Sequence, residues 1–211
     1  MEKRKLYLRK RGAAALIRIG LTGPSGSGKG YISSLLAKRG VPTLDCDRVV
    51  HTLYQDESFV QVLSMAFGVD LSAPDGSVNR KRLGEIVYND PEAMKKLANL
   101  VYPPVRQRCL GYLEKAEEVG YSAAAVDAPQ LFEAGFEKDY DCILCVTAPE
   151  EERLRRIVLR DGISAEQAKL RMKNQKTEEE YRMRSDFVLN NGADDRPEET
   201  LAQILGKMGI R

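Results

Sequence analysis

Apolar residues in this chain gather in short, nearly continuous runs that alternate with longer stretches where they recur every three or four positions. The runs are Leu16–Thr22, Val41–Leu44, Ala123–Val126, Cys142–Val146 and Phe187–Leu189. Between the first two, the segment Lys29–Lys38 places Ile32, Leu35 and Leu36 on one helical face. Buried runs separated by helices predict an α/β fold, a parallel five-stranded sheet flanked by helices on both faces. Residues 59–119 have helical patterning and no clear strand. That stretch is too long for a plain crossover and reads as a helical insertion between the second and third strands. Helix starts are predicted at Asp90-Pro91, an N-cap followed by proline in the first turn. Thr147-Ala148-Pro149-Glu150 and Ser164-Ala165-Glu166-Gln167 both fit capping boxes.

Composition narrows the class. Of 211 residues, 43% are hydrophobic and 30% charged, which excludes collagen-like, disordered and disulfide-scaffold chains. No apolar run approaches the ~20 residues of a membrane-spanning helix. The net charge of +2 gives no overall field for nucleic acid. Lys3, Arg4, Lys5, Arg9, Lys10 and Arg11 crowd the start, and residues 1–15 read as a solvated basic extension. Neither nucleic acid nor membrane is an expected partner. Of four cysteines, Cys142 and Cys145 form a C-x-x-C pair, but inside a strand-like run, with no second pair and with His51 the only histidine. Small core hydrophobes account for them better than zinc or redox chemistry. Free thiols without a secretion signal predict a cytoplasmic chain.

Chemistry concentrates at strand ends. Gly23-Pro24-Ser25-Gly26-Ser27-Gly28-Lys29-Gly30 follows a predicted strand and opens a helix, the context of a phosphate-binding P-loop. The competing reading is a glycine-rich turn with a chance lysine. Glycines let the backbone wrap a phosphate, and the helix N-terminus attracts its charge. The residue after the lysine, whose hydroxyl would ligate Mg²⁺, is here Gly30, followed by Tyr31. Asp45-Cys46-Asp47 follows the second strand: Asp47 suits a base that takes a proton from an acceptor hydroxyl, or else a helix cap. Asp127, after the third strand, suits Mg²⁺ contact directly or through water, with Asp45 a second candidate. Residues 151–184 carry ten Lys or Arg, from Arg153 to Arg184, and periodicity does not choose among them. Most read as solvated helix faces, and a few as a lid closing over a triphosphate.

The order of these motifs resembles the dephospho-CoA kinase family, P-loop kinases of the nucleoside-monophosphate kinase type. The likeness runs from about Ile17 to about Gly192. It includes the loop, Gly40-Val41-Pro42 before Asp45-Cys46-Asp47, Arg82 to Pro91, and Pro103-Pro104-Val105-Arg106. Asp127 to Glu133, Arg160-Asp161-Gly162, Gln175 and Asp186 to Gly192 complete it. The resemblance implies ATP-dependent phosphorylation of the ribose 3′-hydroxyl of dephospho-CoA, with Mg²⁺, the last step of CoA biosynthesis. It implies Asp47 as base, Lys29 on the phosphates and Arg160 as lid arginine. Residues 23–31, Arg156, Asn191 and Gly192 would hold ATP; Arg82 and Arg106 would contact the acceptor. It divides the chain into a core of residues 16–47 and 116–211, a lid at about 155–184, and a CoA-side insertion at 48–115. A monomer is expected, with an oligomer open. Three positions depart from the family: Gly30-Tyr31 for Ser-Thr, Tyr102 for His, and Tyr181 for Lys. The alternative is a catalytically impaired nucleotide- or CoA-binding relative with a degenerate loop.

Overall fold

In the computed structural model, residues 15–88 and 90–210 are described. The basic segment Lys3–Arg11 lies outside them. The first strand, β1 (Ile17–Thr22), is the centre of a five-stranded sheet and pairs in parallel with β3 (Ala123–Asp127) and β4 (Cys142–Thr147). β5 (Phe187–Asn190) runs parallel to β4, and β2 (Thr43–Asp45) lies outside β3, giving the order β2-β3-β1-β4-β5. Every residue of β4 is buried, as a strand covered on both faces requires. Cys142 and Cys145 are part of that core. Burial pushes the Cys145 thiol up to about 12, so it stays protonated and packs as a small hydrophobe.

Helix α1 (Lys29–Lys38) buries Ile32, Leu35 and Leu36 against the sheet. Its end explains why β2 begins two residues later than the hydrophobic pattern predicts. Gly40 takes a φ of 75°, its N–H bonds the Ala37 carbonyl, and the Val41 N–H bonds the Leu36 carbonyl. This is a Schellman termination. Val41 thus spends its donor on the helix and Pro42 has none, so only the Pro42 carbonyl reaches across, to the Ala125 N–H.

The described residues divide into two compact units, those within 15–44 with 112–210, and those within 45–111. The second unit holds α2 (Cys46–Leu53), α3 (Glu57–Phe67), α4 (Arg80–Val87) and the first part of α5 (Pro91–Val119). Its interior is built from Leu53, Val60, Leu63, Leu71 and Leu83. Helix α5 runs through Pro103 and Pro104. Its start matches the sequence pattern, with the Asp90 side chain accepting from the N–H groups of Glu92 and Ala93.

In the first unit, α6 (Glu150–Asp161), α7 (Ala165–Lys173) and α8 (Glu178–Arg184) follow β4, and α9 (Pro197–Met208) follows β5. Ser164 and Gln167 form a capping box. Thr147 does not: it remains in β4, and α6 starts at Pro149 with no side-chain cap. The Thr147 hydroxyl is instead engaged across the sheet, donating to Asn190 Oδ1 at 2.9 Å. Three glutamates in the first turn of α6 answer the helix dipole in place of a cap. A further capping box, Thr177 with Glu180, opens α8.

Candidate active site

β1 ends at Thr22 and the chain turns at once into the glycine loop. Gly23, Gly26 and Gly28 have φ values of 141°, 78° and 89°, a region that residues with a Cβ avoid. Space makes the same demand. A Cβ on Gly23 would lie 2.1 Å from the Val146 carbonyl oxygen, on Gly26 2.5 Å from that of Arg153, and on Gly28 2.1 Å from Asn191 Nδ2. Lys29 is the first residue of α1, and its Nζ folds back to the carbonyls of Gly23 (2.8 Å) and Pro24 (3.4 Å).

The loop is braced from outside. Arg153 Nε donates to the Ser25 carbonyl at 3.0 Å, and Asn191 Nδ2 donates to that of Ser27 at 2.8 Å. A trans peptide points its C=O and N–H in opposite directions, so holding these carbonyls outward turns the N–H groups of Gly26 and Gly28 inward. Together with the first turn of α1 they form an anion cradle. Gln175 holds Ser25 twice, accepting its N–H at 2.9 Å and donating to its hydroxyl at 3.0 Å. Arg156 ties the Gly26 carbonyl (3.3 Å) to the Asn191 carbonyl (2.8 Å) and is itself held by Glu152 at 2.8 Å.

Arg153 and Gln175 are the site residues that sequence reasoning did not single out for this work. Arg153 was one of ten basic residues in its segment. The available signal was its spacing, four residues before Ile157 on the buried stripe of α6. Arg153 is only 7% exposed. Burial presses its guanidinium below the ordinary arginine range, opposed by Glu178 at 3.8 Å.

Other predicted residues occupy distinct surroundings. Asn191 is buried at the end of β5, and the Gly192 N–H bonds Asp195 Oδ2 at 2.7 Å. Tyr31 is exposed, and its hydroxyl donates to Glu198 of α9 in a short contact that raises the phenol above its usual range. Arg160 lies at the end of α6 with its guanidinium in a two-pronged ion pair to Asp161 (2.7 and 2.9 Å). Asp161 also binds Arg171 at 2.7 Å, and the two arginines hold its carboxyl below the usual range. Tyr181 is 1% exposed and packs against Phe132, ring centroids 5.8 Å apart, so it serves as an anchor for α8. Arg184 adds to that anchor, its guanidinium 4.2 Å from the Phe132 ring centroid.

Asp127 ends β3, paired in register with Leu21 of β1, so it stands at the sheet edge from which the loop departs. The Ser33 hydroxyl of α1 donates to Asp127 Oδ2 at 3.3 Å. A Cβ on Gly30 would meet nothing within 4 Å, which leaves open volume at the position where a hydroxyl would ordinarily sit. Among the described residues no three His, Cys, Asp or Glu side chains stand together as a metal cluster. Mg²⁺ needs none, since it binds through one or two carboxylates, waters and the substrate's phosphates. An oxygen donor beside an open, phosphate-cradling loop fits that ion.

Asp45, Asp47, Arg82 and Arg106 belong to the second unit. Asp45 is the N-cap of α2, accepting from the N–H groups of Asp47 (2.8 Å) and Arg48 (3.4 Å). The cap is therefore Asp45, and Asp47 is exposed in the first helical turn. Arg82 is exposed in the first turn of α4, and Arg106 is exposed along α5.

A parallel sheet whose central strand delivers a glycine loop and a lysine to a helix N-terminus defines a P-loop nucleotide-binding protein. The sequence model of one family, CoaE: Dephospho-CoA kinase, matches residues 17–196. The chain is 34% identical over 189 residues to the dephospho-CoA kinase of Dehalococcoides mccartyi, covering 90% of this chain and 96% of that one. It is 38% identical over 182 residues to that of Rhodopseudomonas palustris, covering 85% and 89%. The crystal structure of dephospho-CoA kinase from Campylobacter jejuni superposes with a TM-score of 0.66 at 27% identity, covering 91% and 98%. A crystal structure from Thermus thermophilus gives 0.76 at 33% identity, covering 92% and 98%. The chain belongs to the dephospho-CoA kinase family, which are ATP-dependent phosphotransferases.

Proposed function

We propose that this kinase moves the γ-phosphoryl group of ATP to the ribose 3′-hydroxyl of dephospho-CoA with Mg²⁺ as cofactor, and that its loop is competent for this despite Gly30. The observation that carries the reading is the braced cradle: Lys29 across the loop, carbonyls held outward, and Asp127 at the adjoining strand end. In this reading residues 23–31, Arg156, Asn191 and Gly192 hold ATP, and Lys29 and Arg160 balance charge on the transferred group. Asp47 accepts the proton of the acceptor hydroxyl as its oxygen bonds to the γ-phosphorus and the bond to the β–γ bridging oxygen breaks, releasing ADP. This role is supported by the exposure of Asp47, two residues beyond the end of β2. Bound Mg²⁺ would neutralise phosphate charge, with Asp127, directly or through water, and Asp45 as the carboxylates on its side. Arg82 and Arg106 contact the acceptor.

The same reading takes residues 16–47 and 116–211 as the kinase core, about 155–184 as the lid, 48–115 as the acceptor-side region, and 1–15 as an extension. It makes the protein a cytoplasmic enzyme acting on a small molecule, a monomer with an oligomer left open, without nucleic-acid or membrane partners. No helix of the described residues is long and apolar enough to cross a membrane. The test is ADP release with and without dephospho-CoA across a Mg²⁺ titration, with CoA detected by mass. Release that depends on dephospho-CoA and yields CoA is the expected result. Nucleotide binding with no such transfer at any Mg²⁺ concentration would identify an impaired relative instead.

A further inference from the structure

At Gly30 the loop lacks the Ser or Thr hydroxyl that the P-loop pattern sets on Mg²⁺, yet a hydroxyl stands nearby. Ser33 follows Gly30 by three residues and Lys29 by four, so all three share one face of α1. With a helical rise of about 1.5 Å per residue, Ser33 lies about 4.5 Å further along the axis than Gly30. Its Oγ donates to Asp127 Oδ2 at 3.3 Å, longer than the ~2.7–2.8 Å of an optimal O–H···O bond. The contact aims the carboxylate while leaving it capacity for other donors, since an ionised carboxylate accepts at about four lone-pair sites. One helical turn before Ser33, a Cβ built on Gly30 would enter open space.

We infer that Ser33 is a positioning residue for the metal: its hydroxyl orients Asp127 toward the waters that a Mg²⁺–nucleotide complex would carry into the volume over Gly30. Water would take the place of the missing hydroxyl, because Mg²⁺ retains several waters readily. Ser33 then holds the carboxylate on which those waters are fixed, as outer-shell hydrogen bonds fix metal ligands generally. The inference rests on the reading of Asp127 as the metal-side carboxylate. It adds a residue to that site and assigns Gly30 and Ser33 a shared task.

Metal binding tests this without turnover. Mn²⁺ binding to the protein–ADP complex is read from the loss of the free-Mn²⁺ signal in electron paramagnetic resonance. ADP affinity in excess chelator is measured in parallel. Ser33→Ala should weaken Mn²⁺ binding by about 10-fold, the lower end of outer-shell effects, with ADP affinity in chelator unchanged. Ser33→Thr, which keeps the hydroxyl, should restore binding. In a Gly30→Ser background, where a direct ligand is supplied, the Ser33→Ala loss should shrink, a coupling that a double-mutant cycle reads. Unchanged Mn²⁺ binding in Ser33→Ala, with a loss in Asp127→Asn, would overturn the role of Ser33 and leave that of Asp127 intact. Unchanged binding in Asp127→Asn would overturn both. An equal loss of ADP affinity with and without metal would make the hydroxyl a support of the loop and would also overturn the inference.

Discussion

The glycine loop and the Asp45-Cys46-Asp47 segment both follow a strand and open a helix, but they are held by opposite means. The loop depends on side chains far along the chain: Arg153 reaches Ser25 across 128 residues and Asn191 reaches Ser27 across 164. The turn at Asp45 is fastened nearby, through a carboxylate bonded to N–H groups two and three residues away, while Cys46 Sγ within it lies 3.4 Å from Cys109 Sγ across 63 residues. The difference follows from what each must present. A phosphate cradle needs several inward N–H groups at once, which forces its backbone into conformations that local contacts such as Lys29 to Gly23 do not maintain alone. A base needs one carboxylate at the start of a helix, and a cap suffices to place the turn that carries it. Damage at a distance should therefore reach the loop, while damage at the Asp45 segment should stay local.

The largest expected effect sharpens the local side of this contrast. Asp47→Asn keeps the shape and removes the basicity, so kcat should fall by about 10²–10⁴-fold with little change in KM for dephospho-CoA. Steady-state kinetics checks it, and an unchanged kcat would reduce Asp47 to a surface residue. Lys29→Ala should lower kcat by about 10²–10³-fold, the usual loss for one preorganised donor to developing charge. Here KM for ATP should rise as well, because the same amine meets ground-state phosphates.

Three smaller effects test how each element is held. Gly28→Ala drives a Cβ to 2.1 Å from Asn191 Nδ2 at a φ of 89°. It should cost about 1–3 kcal/mol in thermal unfolding and abolish tight ATP binding. Adding Asn191→Ala should relieve the clash but not the backbone strain, so recovery should be partial. Arg153→Met removes a buried donor from the Ser25 carbonyl and leaves Glu178 without one partner; about 1–3 kcal/mol of stability should go, with weaker ATP binding although Arg153 need not touch ATP. An ATP affinity equal to the parent's would break the claim that the loop is held from afar. Asp45→Ala should cost about 1 kcal/mol, a typical N-cap loss, and leave ATP affinity unchanged.

Much of this was legible from neighbouring residues. Nearly continuous apolar runs located five strands, and three-to-four-residue patterning located α1, whose bounds, Lys29–Lys38, came out as the spacing predicts. The Asp90 and Ser164 helix starts were readable because a cap bonds within three residues of itself. The glycine loop was readable because its positive φ values admit little else. Where two local readings competed, the sequence could not choose. Thr147-Ala148-Pro149-Glu150 fits a capping box, yet the Thr147 hydroxyl is drawn to Asn190 on the adjacent strand. Val41 fits a strand, yet its N–H closes α1.

The remaining decisions belong to the tertiary structure. Ten cations between residues 151 and 184 are alike by periodicity; the family resemblance picks out Arg156 and Arg160, but only the packing of α6 against the loop shows Arg153 and Arg156 binding it and Arg160 pairing with Asp161. Tyr181 reads as a lid substitution until its ring is seen buried against Phe132. Ser33 is an ordinary helical serine until β3 brings Asp127 beside it. The sequence by itself determined the backbone: where the chain is extended, where it winds, and where it must turn through glycine, because dihedral preference and periodicity act over a few residues. The tertiary structure decided which of several like side chains does the work, because a hydrogen bond selects by distance in space and is indifferent to separation along the chain.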